Sequence, residues 1–429
     1  MKNAPIIFVL IAVVLLTAGG CATAGPPKAT PYVIRGTEVY FWNQPLIGAD
    51  AKTFSILGNT YAKDAYHVYM GGKELAGADA VTFSLVEGVT KDARHVYYGN
   101  RIVSDADLAS YRVLNLEYAC DNKRVYYQGN TLNDADPLTF TVLDDQYGGT
   151  GKDRRHVYLD AKIIPGADPA TYVILGQDYS RLGKDAAHVY FQGAVMPEAD
   201  PATIRYLGDF FAADSQRVYY YGKVLPGAEG RSFVILAIRD GARNLITYAK
   251  DAARVYYRMD AVAVDGEEAT EPHVIPGADP KTFVTLDESL YGGYAKDVRA
   301  VYFANGAVIG ADPQTFVILP IMQNPGQPDR KVVYGKDAHT VFFRGQKIPN
   351  ADAKTFITLP IPDDASGQAY GKDAHAVYYH ETKIPGADLA TFAALTPDEC
   401  RLADWADSRD KNHFYYAGRI QDQKDRTDQ

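Results

Sequence analysis

The chain has 429 residues, of which 47% are hydrophobic, enough to form a folded core. Its formal net charge is −9 and it contains no run of Lys or Arg, which argues against nucleic acid or an anionic lipid surface as its partner. Tyrosine is unusually abundant, with 32 copies against 17 Phe and 2 Trp, and most of the tyrosines recur at fixed positions in a tandem repeat.

The N-terminus predicts a signal peptide over residues 1–20. Lys2 is followed by an apolar run over residues 6–16, which is shorter than the roughly 20 residues of a membrane-spanning helix. The string Ala18-Gly19-Gly20-Cys21 resembles the lipobox of bacterial lipoproteins, in which the signal is cut before an acylated Cys. The resemblance implies that Cys21 is the lipidation site and first mature residue, with residues 21–31 as lipidated Cys and tether. Because Ala22 rather than Asp follows the Cys, it also favours the outer membrane as the membrane that holds the lipid. An ordinary cleaved signal with an incidental Cys remains the alternative.

A block of fixed internal spacing then recurs down the chain. Asp64 precedes Tyr69 by five residues, Asp79 follows ten later, and a strand-like run closes at Val86. The recurrence predicts a repeat array. The first Asp of each copy is Asp64, Asp92, Asp121, Asp153, Asp185, Asp214, Asp251, Asp297, Asp337, Asp373 or Asp410. The second is Asp50, Asp79, Asp107, Asp136, Asp168, Asp200, Asp279, Asp312, Asp352 or Asp388, with Glu229 in one copy.

Local patterns predict the structure of one block. Val68 and Met70 share one face of a strand and form core, whereas Tyr69 takes the other face, where a phenol retained in nearly every copy suggests a recurring hydrogen bond. Gly and Asn residues then predict a hairpin turn and a short return strand. In the stretch 165–172, an N-cap Asp, a Pro and a Thr predict a single helical turn before a third strand. We therefore assign the first Asp of each block as a structural repeat residue and the second as a helix cap.

The predicted fold class is an all-β repeat protein, an open β-solenoid or superhelical array of about 11 three-stranded units with single helical turns. A closed propeller-like ring is the alternative, although propeller blades have four strands and longer periods of about 40–45 residues. The predicted domains are short-joint repeats over 32–236, repeats with longer loops over 237–420 and a polar tail over 421–429. In an open array Cys120 and Cys400 lie too far apart to form a disulfide.

The repeats resemble the bacterial DKNYY family, named for its Asp-Lys-Asn-x-x-Tyr-Tyr string. The resemblance is closest at Asp410-Lys411-Asn412-His413-Phe414-Tyr415-Tyr416 and at Asp121-Asn122-Lys123-Arg124-Val125-Tyr126-Tyr127. In a looser Lys-Asp-x-x-x-Val-Tyr-Tyr form it covers nearly all of residues 32–420. It implies a place in the cell envelope and carries no catalytic residues with it.

Candidate chemistry is sparse. The repeated Asp is expected to accept backbone N–H groups in a turn rather than to bind calcium, because no copy has the dense Asp spacing of a calcium loop; 105–107 and 134–136 come nearest. The His slot is expected to be an exposed strand position, because other copies place Ala or Thr there; it holds His67, His95, His156, His188 and His413. We expect no metal site and no cofactor.

No nucleophile, metalloprotease, phosphate-loop or dinucleotide motif is present, and the polar motifs recur in copy after copy. These features predict a non-catalytic, lipid-anchored protein of the cell envelope that binds or scaffolds, facing periplasm or surface. Its partners would be the membrane, through the N-terminal lipid, and an envelope protein or a glycan. A glycan binder using exposed tyrosine ladders is the alternative, and an enzyme is less favoured. Buried repeat tyrosines would favour scaffolding, and exposed ones a glycan.

The joints between blocks suggest where a partner binds. From the closing residue of one block to the next Asp, the first six joints span 7, 6, 7, 10, 10 and 7 residues, and the later ones 15, 11, 18, 14 and 15. Insertions at one joint of a stacked array emerge on one face. The longer joints (237–250, 320–336, 360–372 and 396–409), with the insertion at 259–273, are therefore candidates for a binding surface, with neutral lengthening as the alternative.

Overall fold

A computed structural model describes residues 31–58, 60–86, 88–143, 149–176, 181–208, 210–236, 246–259, 272–286, 293–319, 334–359, 370–395, 399 and 406–421. These residues form twelve small antiparallel sheets, each with its strands in chain order. The chain divides into two compact units, residues 1–140 and 141–429. The expected all-β repeat architecture is confirmed, and no described sheet closes into a barrel, since each has two edge strands.

The first unit contains sheets 1 to 4. Their strands are β1 (Tyr32–Arg35), β2 (Glu38–Phe41) and β3 (Gln44–Pro45); β4 (Ser55–Ile56), β5 (Tyr61–Lys63), β6 (Val68–Met70) and β7 (Lys73–Glu74); β8 (Ser84–Val86), β9 (Val89–Lys91), β10 (Val96–Tyr98) and β11 (Arg101–Ile102); β12 (Arg112–Val113), β13 (Tyr118–Cys120), β14 (Val125–Tyr127) and β15 (Asn130–Leu132).

The second unit contains sheets 5 to 12. Sheets 5 to 8 are β16 (Thr141–Val142), β17 (Thr150–Lys152), β18 (Val157–Leu159) and β19 (Lys162–Ile163); β20 (Val173–Ile174), β21 (Leu182–Lys184), β22 (Val189–Phe191) and β23 (Ala194–Val195); β24 (Arg205–Gly208), β25 (Phe211–Ala213), β26 (Arg217–Tyr220) and β27 (Lys223–Glu229); β28 (Val234–Ile235), β29 (Ile246–Lys250), β30 (Val255–Met259) and β31 (His273–Val274). Sheets 9 to 12 are β32 (Val284–Thr285), β33 (Tyr294–Lys296), β34 (Val301–Phe303) and β35 (Gly306–Ala307); β36 (Val317–Ile318), β37 (Tyr334–Lys336), β38 (Val341–Phe343) and β39 (Gln346–Lys347); β40 (Ile357–Thr358), β41 (Tyr370–Lys372), β42 (Val377–Tyr379) and β43 (Thr382–Lys383); β44 (Ala393–Ala394), β45 (Ser408–Arg409), β46 (Phe414–Tyr416) and β47 (Arg419–Ile420).

Four strands form each sheet after the first, one more than the three strands read from a block. The additional strand is the short run before the repeat Asp, such as β5, and the closing run of each block opens the next sheet. A sheet is therefore assembled from the end of one block and the start of the next.

Two tight turns fix the register of the central strands. Between β5 and β6 the Asp64 N–H donates to the His67 carbonyl oxygen at 2.9 Å. Between β6 and β7 the chain turns at Gly71 and Gly72, with φ values of 58° and 76°. Left-handed φ at both central residues is the type I′ hairpin turn, which confirms the predicted hairpin.

The joint lies between the first and second strands of each four-stranded sheet, whatever its length. The Leu57 N–H donates to the Tyr61 carbonyl oxygen at 2.9 Å across a short joint. Across a much longer one, the Leu319 N–H makes the same 2.9 Å bond to Tyr334. Long joints are therefore insertions into one repeated hairpin.

The core lies between successive sheets of a unit. Val68 of sheet 2 clusters with Tyr97 of sheet 3, while Tyr69, on the opposite face of β6, clusters with Tyr32 of sheet 1. The central strands are thus buried on both faces, and each large side chain contributes about 1.5–3 kcal/mol of burial. Among the described residues there is no helix with the length and apolar character needed to cross a membrane.

Candidate functional site

The repeated Asp carboxylate accepts hydrogen bonds at both of its oxygens. Oδ1 of Asp64 accepts the N–H groups of Tyr66 and His67 at 2.8 and 2.7 Å. Oδ2 accepts the Tyr69 hydroxyl at 2.8 Å and the Asp50 N–H at 3.0 Å. The turn that follows the Asp is short, so it aims two successive N–H groups at one carboxylate oxygen.

The same phenol-to-carboxylate bond recurs at 2.6–3.0 Å along the chain. It joins Tyr69 to Asp64, Tyr97 to Asp92, Tyr126 to Asp121, Tyr158 to Asp153, Tyr190 to Asp185, Tyr219 to Asp214, Tyr256 to Asp251, Tyr302 to Asp297, Tyr378 to Asp373 and Tyr415 to Asp410. Both partners are buried in every pair. This is the hydrogen bond expected from the retention of tyrosine; Asp337 faces Phe342 instead.

Burial works against ionisation of these carboxyls, yet the hydrogen bonds they accept outweigh it and lower the pKa of Asp92 to about 2. The pKa is lowered for the same reasons at Asp64, Asp121, Asp185, Asp214, Asp251, Asp297, Asp373 and Asp410. Burial and the bonded carboxylate raise the pKa of the partner phenol, to about 12 for Tyr256. The carboxylate therefore keeps its charge and the phenol its proton.

The second Asp of each block forms a capped turn. Oδ1 of Asp168 accepts the Ala170 N–H at 3.0 Å, and Oδ2 accepts the Thr171 hydroxyl at 2.7 Å. The Tyr172 N–H donates to the Asp168 carbonyl oxygen at 2.9 Å, which closes one turn. The Thr171 hydroxyl oxygen in turn accepts the N–H of Ala186, one residue beyond the next repeat Asp.

The structure brings the two Asp sets together. The backbone N–H of a turn Asp donates to Oδ2 of the repeat Asp in the following block, at 2.7–3.2 Å. These contacts join Asp50 to Asp64, Asp79 to Asp92, Asp107 to Asp121, Asp168 to Asp185, Asp200 to Asp214, Asp279 to Asp297, Asp312 to Asp337, Asp352 to Asp373 and Asp388 to Asp410. Glu229 takes this role toward Asp251.

The lysine before the repeat Asp closes the far end of a turn. Nζ of Lys63 donates to the carbonyl oxygens of Ala80 and Phe83, both at 2.9 Å, so a cation meets the free carbonyls where the turn ends. In sheet 7 this slot is Ala213, and Arg205, its cross-strand neighbour, donates to Phe233 and Gly230 instead. In sheet 4 the slot is Cys120, again opposite an arginine, Arg112.

A second set of buried tyrosines, three residues before the repeat Asp, links one sheet to the next. The Tyr61 hydroxyl donates to the Gly99 carbonyl oxygen at 2.9 Å, and the Tyr334 hydroxyl to His380 at 3.0 Å. The Tyr294 hydroxyl oxygen accepts the Gly345 N–H at 2.9 Å. Sequence reasoning missed these residues, although the repeated Tyr-Ala-Lys-Asp and Tyr-Gly-Lys-Asp strings carried the signal.

The last sheet places a carboxylate where other sheets have this tyrosine. Oδ1 of Asp407 accepts the Tyr370 hydroxyl at 2.6 Å and the Ser408 hydroxyl at 3.0 Å, and Oδ2 accepts the Ala417 N–H at 2.7 Å. Burial raises the pKa of Asp407, against the effect of these bonds. The sheet 11 tyrosine thus has a carboxyl oxygen as its acceptor in the final sheet.

The histidine slot lies in the tight turn before the second central strand. Nδ1 of His67 is 3.6 Å from Oδ1 of Asp64, and the side chain remains 40% exposed. Asp105 and Asp134, the nearest match to a calcium loop, occupy the left-handed turn position that is Gly166 in another copy, with φ values of 59° and 68°. No cluster of metal-ligating side chains occurs among the described residues.

Other predicted sites lie outside the described residues. These are Cys21, Cys400 and most of the long joints, including 320–333 and 360–369. Cys120 is a buried free thiol. Burial raises its pKa, although the charge of Arg112 opposes that effect.

The hydrogen bonds around the repeat carboxylate suit a role in stabilising the fold better than a role in acid–base catalysis. Both oxygens of the repeat carboxylate accept hydrogen bonds, and its pKa is low rather than poised near neutrality as a general base requires.

A family model described as the DKNYY family matches residues 32–147, 118–260 and 265–419. No curated protein and no solved structure matches the chain.

Proposed function

The chain belongs to the DKNYY family, and from that premise we propose that it is a non-catalytic binding or scaffolding protein of the cell envelope, held on a membrane by lipid at Cys21. The observation that carries the proposal is the burial of the repeated tyrosines. Tyr69 and Tyr97 are 3% and 4% exposed, and the inter-sheet Tyr294 is fully buried. Tyrosines that are buried between stacked sheets support a role for the protein as a spacer or platform. Their ring faces are covered, so few of them could stack against a glycan.

The second unit also repeats an exposed apolar position. It is the residue after the turn aromatic, and it begins the first strand of its sheet. Val173, Val234, Val284, Val317 and Ile357 hold this position and are 45–52% exposed. Glycans stack on flat aromatic faces, whereas aliphatic side chains pack against protein side chains. The repeated position therefore supports an envelope protein as the partner.

The anchor is tested by Cys21→Ser. The expected result is release of the protein from membranes and loss of fatty-acid labelling, because the acylated sulfur is gone. Ala22→Ser serves as the matched control and keeps both. Unchanged detergent partitioning and labelling of the Cys21→Ser protein would contradict the lipid anchor.

The partner is tested by recovery from envelope extracts with the anchored protein as bait, in parallel with binding to a panel of envelope glycans. Val284→Lys with Val317→Lys should lower recovery of a protein partner at least fivefold. Ile309→Lys, at a fully exposed turn residue, should leave recovery unchanged. Undiminished recovery by the double variant would remove this apolar position as the contact surface, and selective glycan retention would favour the alternative.

The long joints are tested separately. Residues 320–336 and 360–372 can be trimmed to seven-residue joints, because the closing bonds of the hairpin, Leu319 to Tyr334 and Leu359 to Tyr370, are the same as in short joints. Reduced recovery with an unchanged melting temperature is expected if these joints form the binding face. Full recovery would assign their length to neutral drift.

A further inference from the structure

A pair of facing aromatic rings fills the inner corner of most sheets. One ring lies three residues before the repeat Asp, or before Arg35 in sheet 1, and the other lies six residues after it; the two rings are cross-strand partners. The centroid distances are 4.8–5.3 Å for Tyr32–Phe41, Tyr118–Tyr127, Phe211–Tyr220, Tyr248–Tyr257, Tyr294–Phe303, Tyr334–Phe343 and Tyr370–Tyr379. In sheets 2, 3, 6 and 12, one aromatic ring remains, from Tyr61, Tyr98, Phe191 and Tyr416.

Sheet 5 has no ring at either position. Its cross-strand pair is Thr150 and Leu159. Elsewhere the second ring packs against the hairpin glycine of the next sheet, so that a Cβ added at Gly345 would lie 2.9 Å from Phe303. At Gly193 the nearest atom is a methyl of Leu159, at 3.4 Å. Sheet 5 is thus the one sheet in the described part of the chain where this corner has lost both rings.

An open cleft of about 480 Å³ lies at this corner, within the usual range for small-molecule sites. Its apolar wall comes from Leu159, Ile163 and Ile164. Asp160 and Arg181 form an ion pair beside it, and both side chains are about one-third exposed. The described lining also includes Lys162, Gln192 and Gly193.

The charges at the cleft are unequal. Arg181 and Lys162 carry two positive charges, and Asp160 carries one negative charge. A guanidinium presents several N–H donors in one plane, which matches the two oxygens of a carboxylate. The cleft therefore combines a space where the rings are absent with described rim residues whose net charge is positive.

We propose that this cleft binds a small aromatic carboxylate. The ring takes the space that tyrosine and phenylalanine rings fill in the other sheets, against Leu159 and Ile164. The carboxylate lies at the rim, where Arg181 and Lys162 donate hydrogen bonds to it. This site is separate from the scaffolding surfaces proposed above, and it does not depend on them.

The test is calorimetric titration of the intact protein with 4-hydroxyphenylacetate, alongside phenol and acetate. Saturable binding of 4-hydroxyphenylacetate is expected, at least tenfold tighter than that of either comparator. Phenol has the ring but no carboxylate, and acetate has the carboxylate but no ring. Arg181→Gln should reduce the ratio of the affinities for 4-hydroxyphenylacetate and phenol at least fivefold. No saturable binding by the intact protein, or equal binding of phenol, would overturn the proposal.

A second test of the proposal fills the cleft with a side chain. Leu159→Phe restores the ring found in other sheets and should lower affinity at least tenfold with no loss of melting temperature. Ile163→Phe fills the cleft from its half-exposed rim and serves if Leu159→Phe fails to fold. The matched control is Val195→Phe, the equivalent half-exposed position in sheet 6, which should bind as the unchanged protein does. Undiminished affinity in a folded filled variant would place the ligand elsewhere.

Discussion

In two neighbouring blocks of the second unit, the residue that faces the repeat Asp differs by a single hydroxyl group. In sheet 9 the Tyr302 hydroxyl donates to Oδ2 of Asp297 at 2.8 Å. In sheet 10 the equivalent ring is Phe342, which is just as buried. Asp337 nevertheless keeps its backbone bonds, from His339 and Thr340 to Oδ1 and from Asp312 to Oδ2.

The comparison separates two parts of one network. Backbone N–H groups hold the carboxyl group in both blocks, so they are sufficient to position it without the phenol. The phenol adds a fourth bond without changing how the ring packs: Phe283 and Tyr302 are 5.4 Å apart, and Phe316 and Phe342 are 5.9 Å apart. The carboxylate is therefore expected to matter more for stability than the phenol.

Acid should give the largest effect, because it protonates the repeat carboxylates together. The folded pKa values of nine of them lie below the ordinary 3.8, near 2 for Asp92, so the unfolded chain takes up protons first as the pH falls. The stability they contribute is present above about pH 4 and is lost toward pH 2. Asp407, whose pKa is raised, changes in the opposite direction, but it is one group against nine.

Thermal melting across this pH range measures the effect. Repeating the series at high salt separates it from general charge repulsion, which salt screens. A melting temperature that stays constant from pH 5 to about pH 2.5 would contradict the role assigned to the carboxylates.

Removing one carboxylate should give the next largest effect. Asp297→Ala leaves three backbone N–H groups and one phenol without their acceptor, at about 1–3 kcal/mol for each donor that water cannot reach. We expect the free energy of unfolding to fall by at least about 3 kcal/mol, measured by denaturant titration. Val298→Ala, at the exposed neighbouring residue, should change it by less than about 0.5 kcal/mol. Equal effects from the two variants would show that the buried carboxylate has no special weight.

Exchanging the hydroxyl between the two blocks should change the free energy of unfolding by less, and in opposite directions in the two blocks. Tyr302→Phe should cost about 1–2 kcal/mol, because a hydrogen bond to a charged acceptor is lost while the ring remains. Phe342→Tyr should return about 1 kcal/mol if the new hydroxyl reaches Asp337. Denaturant titration of both variants and of the double variant measures the exchange. A loss in both single variants would mean that the pocket around Phe342 has closed over the space for a hydroxyl.

The sequence was sufficient for the block and its tyrosine but not for the sheet. A fixed Asp-to-Tyr spacing predicts contacts inside one turn and strand, where five residues leave the chain little freedom. The contact between a turn Asp and the next repeat Asp spans 14 residues for Asp50 and Asp64 but 25 for Asp312 and Asp337. Because the joint between them varies in length, no fixed spacing records that contact.

The fourth strand was missed for a related reason. Its three residues, such as Tyr61–Lys63, include a small residue and a lysine, and they follow the variable joint. Only pairing with the preceding block, at Ile56 opposite Ala62, makes them a strand. The missing rings of sheet 5 were visible as Thr150 and Leu159, but their meaning depended on knowing that these two positions face each other.

The turn Asp should show the smallest effect. Asp168 is exposed, unlike the buried Asp297, so water can replace it as acceptor for the Ala170 N–H and the Thr171 hydroxyl. Its contact with Asp185 uses the backbone N–H, which Asp168→Ala retains. The expected cost is about 0.5–2 kcal/mol, the usual value of a helix N-cap, and Asp168→Asn should cost less because it keeps an acceptor oxygen. Melting temperature and partner recovery are measured together for both variants. Loss of partner recovery without any fall in melting temperature would show that the turn Asp contacts the partner rather than stabilising the fold.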